Sequence, residues 1–277
     1  MKFKIVGDSC TDFTPEDLQK EYVVSVPLTI DVDGVEIVDD EFFDQADFLK
    51  RVEAAPECPK SACPSPEAYM KSFEGAEDIY VVTLSAKLSG SYNSACLAKQ
   101  LYEEEHPDVN IHVVDSKSAS SGQLLIAYEV EKRAKSGMAF AQIVEEVTAF
   151  RDGMKTTFVL ESLETLRKNG RLSNMKAAVA NLLQIKPYMK AEDGQIEQVG
   201  QARGIKQALT KMVEYIGEVA EQVEEKDLII ANCNCLERAQ SVESKIKERY
   251  AFRSVKIIDT KGISSLYAAD GGIIVAF

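Results

Sequence analysis

The sequence predicts an α/β protein in which an N-terminal parallel sheet flanked by helices is followed by a C-terminal α/β domain with a mixed sheet. Two observations lead to this fold class. Short apolar runs alternate with longer amphipathic stretches in the first half of the chain, as they do when helices connect parallel strands. After Gly153, two strand-like runs joined by Glu192-Asp193-Gly194 break the alternation, which favours antiparallel pairs. We therefore expect two domains, residues 1–152 and residues 153–277.

Helix-start patterns follow the apolar runs of the first half. Phe3–Gly7 is predicted as a strand, and Thr14-Pro15-Glu16-Asp17 then provides an N-cap, a proline at the first helical position and acids that favour the helix dipole. Tyr22–Ile30 is predicted as a single strand, and Asp33-Gly34 as the tight turn into Val35–Val38. The remaining predictions are helices at Phe42–Val52, after Ser65-Pro66-Glu67, at Ser91–Glu105, Ala119–Lys135 and Met138–Phe150, and strands at Ile79–Leu84 and Ile111–Val114.

The second half combines helices with a hairpin. Asn169-Gly170-Arg171 is a helix-stop pattern at the end of Leu163–Gly170. The runs Lys186–Ala191 and Gln195–Gln201 flank the predicted turn and form the hairpin. The other predictions are helices at Met175–Gln184, Gly204–Glu221 and Glu237–Tyr250, and strands at Thr157–Leu160, Asp227–Asn232, Val255–Ile258 and Gly272–Phe277.

Charge and hydropathy exclude several classes of function. The formal net charge is −13 and the sequence pI is about 4.8, so we expect no nucleic-acid binding, which needs clustered cations against phosphate. No uncharged apolar run reaches the roughly 18 residues that a membrane span requires, and Asp8 follows the first apolar run too early for a signal peptide. The sequence therefore predicts a cytoplasmic protein without stable membrane insertion.

The cysteines of a cytoplasmic protein are expected to be reduced thiols, and this chain has six of them. Cys233 and Cys235 have metal-ligand spacing but lack a second pair of ligands, and the chain contains two histidines. We therefore expect no metal site.

Three predicted strands of the first half end in small polar residues, namely Asp8-Ser9, Ser85 and Asp115-Ser116. Ligands bind outside the carboxyl ends of the strands in open parallel sheets, so these residues favour a ligand with a polar head. The alternative is that they cap the turns that follow the strands. The sequence leaves both interpretations open.

The segment Leu88–Ser94 lies between a strand and a strong helix and is a sharper candidate for a binding site. Free backbone amides at a helix start can hold an anion, Gly90 lets a ligand approach the backbone, and Ser89 and Ser91 can donate further hydrogen bonds. An ordinary serine N-cap is the alternative. The segment lacks the Gly-Lys-Ser/Thr ending of a P-loop, so binding of a nucleoside triphosphate is not expected.

Two arginines and two histidines are further candidates. Arg171 and Arg203 each follow a turn, from which a side chain can point into a cleft between domains, and solvation at the surface is the alternative for each. A serine nucleophile would need a base within hydrogen-bond distance. Neither His106, at a helix end, nor His112, within a strand, has an obvious place as that base.

The ordered set of motifs resembles the DegV family. Leu88–Ala95 is close to the family's most specific signature, Leu-Ser-Gly-Thr-Tyr-x-Ser-Ala, and Pro59–Pro66 is similar to its Pro-x-Thr-Ser-x-Pro-Ser loop. Further motifs occur in the family's order and extend the resemblance over essentially the whole chain: Asp8-Ser9, Asp115-Ser116 with Gly122, Leu163–Arg171, Lys186-Pro187 with Asp193-Gly194, and Arg203.

The resemblance implies a carrier that holds one long-chain fatty acid between its two domains, uses no cofactor and is not itself an enzyme. It also implies that the carrier presents the carboxyl group to a separate ATP-dependent kinase subunit, which forms an acyl phosphate. Arg171 and Arg203 would serve carboxylate or phosphoryl handling, or docking of the kinase. The residues that would hold the carboxylate through hydroxyls and amides are Ser61, Ser89, Gly90 and Ser91.

Three positions depart from the family pattern. The Thr-Ser pair of the family's loop is Ser61-Ala62 here, which keeps one hydroxyl and loses the other. Asn169 replaces a glycine, and asparagine also visits left-handed conformations. Tyr267 stands where many relatives carry a histidine; a tyrosine can donate a hydrogen bond but does not titrate near neutral pH. Tyr267 is therefore predicted to bind the ligand, and a role that requires the histidine is not expected of it.

Three functions are compatible with these observations. The leading hypothesis is a carrier of a fatty acid or similar lipid. The second is a hydrolase or transferase that acts on an acyl or phosphoryl ester through Ser89 or Ser91. The third is a regulatory interaction protein for which a bound lipid is only structural.

Overall fold

The computed structural model describes residues 2–172 and 184–277. In chain order the strands are β1 (Phe3–Asp8), β2 (Val23–Val26), β3 (Thr29–Val32), β4 (Val35–Val38), β5 (Lys60–Ala62), β6 (Asp78–Thr83), β7 (Asn110–Asp115), β8 (Thr156–Val159), β9 (Ile185–Glu192), β10 (Gln195–Arg203), β11 (Asp227–Asn232), β12 (Ser254–Asp259) and β13 (Ile273–Ala276). The α-helices are α1 (Pro15–Leu18), α2 (Gln45–Ala54), α3 (Pro66–Phe73), α4 (Ser91–Glu105), α5 (Ser121–Lys135), α6 (Phe140–Gly153), α7 (Glu164–Lys168), α8 (Ile205–Val219), α9 (Leu236–Arg249) and α10 (Gly262–Ala268).

The N-terminal half is built on a parallel sheet with the strand order β2-β1-β6-β7. Helices α3 and α4 cover one face, where Tyr69, Phe73 and Ala98 are buried against the strands. Helix α5 covers the other face and is apolar around much of its circumference, since the successive residues 124–127 are all buried. A helix with this pattern packs against neighbours on more than one side.

The second sheet explains why α5 is buried on several sides. Its strand order is β10-β9-β8-β13-β11-β12, and of these neighbouring pairs β11 and β12 run parallel whereas the others run antiparallel. Helices α8 and α9 pack on one face of this sheet. Helix α5 contacts β11 and β13 as well as β1 and β6, so it lies between the two sheets. The structure confirms the predicted α/β fold class with a parallel and a mixed sheet.

A three-stranded antiparallel sheet, β4-β3-β5, overturns one prediction. Tyr22–Ile30 is two strands rather than one, because β2 pairs with β1 in the parallel sheet and β3 pairs with β4 and β5 in the small one. The break lies at Pro27, which has no backbone N–H to donate to a ladder. The next residue, Leu28, donates its N–H to the Ser9 Oγ at 3.1 Å instead.

Several local predictions are confirmed. Thr14 caps α1 in a capping box with Asp17, and both predicted hairpin turns place Asp-Gly pairs at positive φ, Asp33-Gly34 and Asp193-Gly194. Helix α10, by contrast, was not predicted. The helix predicted at Met175–Gln184 falls, except for Gln184, outside the described residues.

No helix in residues 2–172 or 184–277 is long and apolar enough to cross a bilayer. Buried residues of both larger sheets belong to one continuous core around α5. The division into domains 1–152 and 153–277 stays a prediction, although α6 ends at Gly153 and β8, the first strand of the mixed sheet, begins at Thr156.

Candidate functional site

A cavity of about 340 Å³ lies among the three sheets and α10. Ligand sites for small molecules are concave, mostly apolar and usually a few hundred cubic ångströms or more in volume. The apolar part of the wall comes from distant parts of the chain: Cys10, Leu28, Leu84, Phe158, Leu160, Leu166, Ile196, Ile263, Ala268 and Ile274. An apolar molecule is therefore the kind of ligand that this interior accepts.

The cavity lies along strand β8. Thr156 and Phe158 alternate along the strand and Leu160 continues the alternation, and all three line the cavity. Side chains at such positions share one face, and four steps along a strand span about 13 Å. Beyond Leu160, the chain continues through α7 to Arg171, which also lines the cavity. The cavity therefore extends along β8 from Thr156 to Leu160, and Arg171 lines it beyond that strand.

One group of polar residues that line the cavity lies with Arg171. Ser61 of β5, the loop residues Ser89 and Gly90, and Tyr267 of α10 all line the cavity. The Ser61 Oγ and the Tyr267 Oη are hydrogen-bonded at 3.1 Å, across 206 positions of sequence. The structure therefore brings together five of the seven ligand-binding residues predicted from the sequence: Ser61, Ser89, Gly90, Arg171 and Tyr267.

Arg171 is held at this end by backbone carbonyls. Its Nε donates to the Leu88 carbonyl at 3.1 Å, and its Nη1 donates to the Asn169 carbonyl. The first contact fixes the guanidinium beside the loop that carries Ser89 and Gly90. A fixed cation next to serine hydroxyls is the kind of environment that stabilises a carboxylate.

Gly90 allows the two polar loops to approach each other. A Cβ at Gly90 would lie 3.1 Å from the Sγ of Cys63, on the loop that also carries Ser61. Contacts this short force the neighbouring atom to move. A side chain at Gly90 would require Cys63 to move by a few tenths of an ångström, whereas the role predicted from the sequence, close approach of a ligand to the backbone, stays a prediction.

Asp8 organises the loop from inside the protein. Its side chain is fully buried, and burial raises the pKa of this carboxyl group. Its Oδ2 accepts hydrogen bonds from the Leu84 N–H at 2.8 Å and from the Ser91 hydroxyl, and its Oδ1 accepts from the Gln123 Nε2 at 2.8 Å. Asp8 thereby ties the end of β6 to the first residue of α4 and to α5.

The Ser91 hydroxyl faces these internal partners. Besides Asp8, it hydrogen-bonds the Tyr69 Oη at 2.6 Å, and Ser91 is fully buried. Within the described part of the chain, Ser91 is not among the residues that line the cavity. The structure thus separates Ser89, which lines the cavity, from Ser91, which holds the loop in place.

Polar residues at the other strand ends also hold loops. The Asp115 Oδ1 accepts hydrogen bonds from the N–H groups of Ala86 and Lys117, both at 3.0 Å. The Ser85 hydroxyl donates to the Gly194 carbonyl at 2.7 Å. Asp115 and Ser85 therefore hold turns and loops after the strands, as the capping alternative predicts. They affect the cavity through the position of those loops.

Arg203 and the two histidines lie elsewhere. Arg203 is exposed at the end of β10, where its Nε donates to the Gln184 Oε1 at 3.2 Å. His106 is at the end of α4, and burial lowers the pKa of His112 in β7. None of the three lines the cavity in the described residues, so no imidazole stands beside its serines there.

Two buried carboxylates that the sequence did not single out position α10. Asp39 accepts hydrogen bonds from the N–H groups of Gly262 and Ile263 at 2.7 and 2.8 Å. Asp12 accepts from the Lys261 N–H and the Ser120 hydroxyl, both at 2.6 Å, and burial raises its pKa to about 7. These contacts at the start of α10 place Tyr267 at the cavity. Only contacts more than 200 residues apart in sequence reveal this role.

Comparison with known proteins identifies the family. The model of the DegV family, described as uncharacterised proteins, matches residues 2–276. This chain belongs to the DegV family. A DegV domain-containing protein of Streptococcus pneumoniae strain R6 is 37% identical over 280 residues, covering 100% of this chain and 99% of the relative.

Two solved structures of DegV proteins are very similar to this one. The DegV protein of Ruminococcus gnavus, refined with vaccenic acid, is 47% identical with a TM-score of 0.96, and 99% of each chain is covered. The fatty acid kinase (Fak) B3 protein of Streptococcus pneumoniae, loaded with linoleic acid, is 37% identical with a TM-score of 0.93, covering 100% of this chain and 99% of that one. Both DegV structures therefore share the whole fold.

Proposed function

We propose that this DegV protein binds one long-chain fatty acid, with the carboxylate at the Arg171 end of the cavity and the acyl chain along β8. The observation that carries the proposal is the shape and chemistry of the cavity. An elongated apolar space has hydroxyls and a held guanidinium at one end, which matches a molecule with one charged end and a long apolar tail. The carboxylate would contact Ser61, Ser89, Gly90, Arg171 and Tyr267.

The two parts of the ligand contribute differently to binding. Burial of about 14 methylenes at roughly 0.8 kcal/mol each gives on the order of 11 kcal/mol before ordering costs, so the tail dominates the affinity. The head group fixes the orientation, because a carboxylate left in the apolar part would lose its hydration without a partner. The ligands of the two similar structures support this assignment: vaccenic acid and linoleic acid.

The protein acts as a carrier without a catalytic step of its own, and it presents the carboxyl group to an ATP-dependent kinase subunit in the cytoplasm. The similarity to the Fak B3 protein supports this role. Arg203, exposed on β10, would then contact the kinase, and Ser91 would act on the ligand through the position of its loop. The two domains, 1–152 and 153–277, would close over the acyl chain from opposite sides.

The proposal is tested first by native mass spectrometry of the purified protein, followed by solvent extraction of the bound molecule. We expect a bound mass that is released as a free fatty acid. The variant with both Ser61→Ala and Ser89→Ala should bind a fatty acid at least tenfold more weakly by calorimetry, since two hydroxyl donors are lost at the carboxylate. Ser254→Ala, which changes an exposed serine on β12, is the matched control.

Two outcomes would contradict the proposal. Unchanged affinity of the double variant would show that the carboxylate lies elsewhere. An empty protein that also takes up no added fatty acid would exclude the carrier function. Turnover of a generic ester that is abolished by Ser89→Ala would instead support the hydrolase or transferase hypothesis.

A further inference from the structure

The tip of the β9–β10 hairpin forms the wall at the Thr156 end of the cavity. Ala191, Gly194 and Ile196 all line the cavity. Strand β9 is antiparallel to β8 with Phe158 opposite Met189, and the same register sets Ala191 beside Thr156. Thr156 lies about 13 Å along β8 from Leu160, after which the chain leads to Arg171.

Polar contacts between described residues attach the hairpin tip to the N-terminal half. The Ser85 hydroxyl donates to the Gly194 carbonyl at 2.7 Å. The Asp193 carboxylate accepts from the Lys87 Nζ at 2.7 Å and lies 3.1 Å from the Lys117 Nζ. The Asp193 side chain is 64% exposed, so both ion pairs are open to solvent and individually weak. We call these four residues, Ser85, Lys87, Lys117 and Asp193, the hairpin latch.

A second depression lies on the outer side of the same wall. It has a volume of about 320 Å³ and is lined mostly by polar and charged residues, among them Arg151, Asp152 and Glu192. Lys117, Thr156 and Ala191 line both spaces and therefore form the partition between them. These three residues separate the apolar cavity from the outer depression, and the ion pairs of Asp193 beside them are exposed.

Lys117 contributes to this partition in two ways. It lines the cavity, while its ammonium group contacts Asp193 and the Asp152 Oδ1, the latter at 3.2 Å. Lysine commonly buries its methylene stem against apolar surface and keeps its charge in water. The methylene stem of Lys117 thus closes the cavity on this side, and its ammonium group holds the hairpin tip through the ion pair with Asp193.

We infer that the hairpin latch sets the longest acyl chain that the closed cavity accepts, which makes Lys117 and Asp193 determinants of chain-length specificity. This inference rests on the proposed binding of a fatty acid. A tail that fits reaches toward the partition without disturbing it. A longer tail has to displace Lys117 and part the hairpin from the N-terminal half, and the latch opposes this movement.

The test measures the affinity of the delipidated protein for saturated fatty acids of increasing length, each longer by two methylenes, in competition with a fluorescent fatty acid. Lys117→Met keeps the methylene stem and removes the charge. Asp193→Asn removes the charge and keeps a residue that tolerates positive φ, which this turn requires. Glu197→Gln is the matched control, because Glu197 pairs with Lys190 on the same hairpin outside the latch.

For the unmodified protein we expect the affinity to rise with chain length and then to level off or fall. Both latch variants should move this limit by at least two methylenes and raise the affinity for the first excluded chain at least tenfold, whereas Glu197→Gln should leave the limit in place. High salt should move the limit of the unmodified protein in the same direction.

An unmoved limit in both latch variants would overturn the inference and leave the carrier function intact. The same shift in Glu197→Gln would also overturn it, because the effect would then come from the hairpin charge in general. Failure of the unmodified protein to bind any of the fatty acids would overturn the proposed function together with the latch.

Discussion

Replacement of Asp8 by alanine tests whether this carboxylate holds the Ser89 loop. Asp8 is fully buried, and the donors of its hydrogen bonds include the Leu84 N–H, the Ser91 hydroxyl and the Gln123 Nε2. In Asp8→Ala all three donors lose this acceptor, and the loop between β6 and α4 loses its attachment to β1. We expect a less stable protein that also binds its ligand more weakly.

The contacts of the three donors give the size of the effect. A buried donor without a partner costs about 1–3 kcal/mol. The Ser91 hydroxyl still contacts the Tyr69 Oη at 2.6 Å, and the Gln123 Nε2 still lies 3.2 Å from the Thr11 Oγ1. The Leu84 N–H loses its hydrogen bond entirely, whereas the Ser91 and Gln123 donors each keep a second partner and lose only part of theirs. The free energy of unfolding should therefore fall by about 3 kcal/mol. Asp8→Asn, which keeps one acceptor oxygen, should lose about half of this.

Urea denaturation measures the free energy of unfolding, and calorimetry with a fatty acid measures the affinity. Asp47→Ala is the control, since Asp47 is exposed and pairs with Arg51 one helical turn away, a contact worth about 0.5 kcal/mol. A loss below about 1 kcal/mol in Asp8→Ala would refute the reasoning, because a loop held by this carboxylate cannot release it at so small a cost. Unchanged ligand affinity in a destabilised variant would refute the link between Asp8 and the position of Ser89.

Two further changes test buried groups near the cavity. Burial raises the pKa of Asp12 from 3.8 to about 7, so the folded protein keeps a proton that the unfolded chain releases. The resulting contribution to stability is fully present below the pKa of the unfolded chain, and it is lost as the pH rises through about 7. Asp12→Asn should therefore flatten the fall of the free energy of unfolding between these pH values, a fall of up to ~1.4 kcal/mol per pH unit that urea denaturation at a series of pH values measures, and an unchanged slope would contradict the assignment. In Gly122→Ala, the new Cβ would lie 2.1 Å from the Ser118 Oγ and 3.0 Å from the Thr156 Oγ1, so urea denaturation should show a loss of about 1–3 kcal/mol from overpacking. Retention of full stability would mean that Ser118 moves freely, in which case it does not define the cavity wall.

The local predictions from the sequence were confirmed where residues close together in the sequence determine the structure. The capping box of Thr14 and Asp17 and the Asp-Gly turns at Asp33 and Asp193 depend on neighbouring residues, so the pattern alone predicts them. The strand predicted at Tyr22–Ile30 was wrong, because an apolar run does not reveal which sheet each part of it joins. Pro27 was the only local indication of the break, since it lacks the N–H that a continuous ladder needs.

Two serines of the candidate site also could not be distinguished from the sequence alone. Ser89 and Ser91 are equivalent in the sequence, as donors at the start of one helix, and only the fold distinguishes them. Ser91 faces the buried Asp8, whereas Ser89 lines the cavity. Helix α10 was not predicted, because Asp39 and Asp12 hold its first amides from more than 200 positions away.

The sequence by itself determined the α/β class, the order of most elements, the family and the loops that would carry a polar ligand group. Those properties follow from hydrophobic periodicity, capping residues and short motifs, which are local along the chain. The tertiary structure decided that Ser61, Ser89, Arg171 and Tyr267 line one apolar cavity, and that a contact between Lys87 and Asp193 attaches the tip of the β9–β10 hairpin, which lines the same cavity. A cavity is the space left between elements that are distant in sequence, so its walls are fixed only when those elements pack.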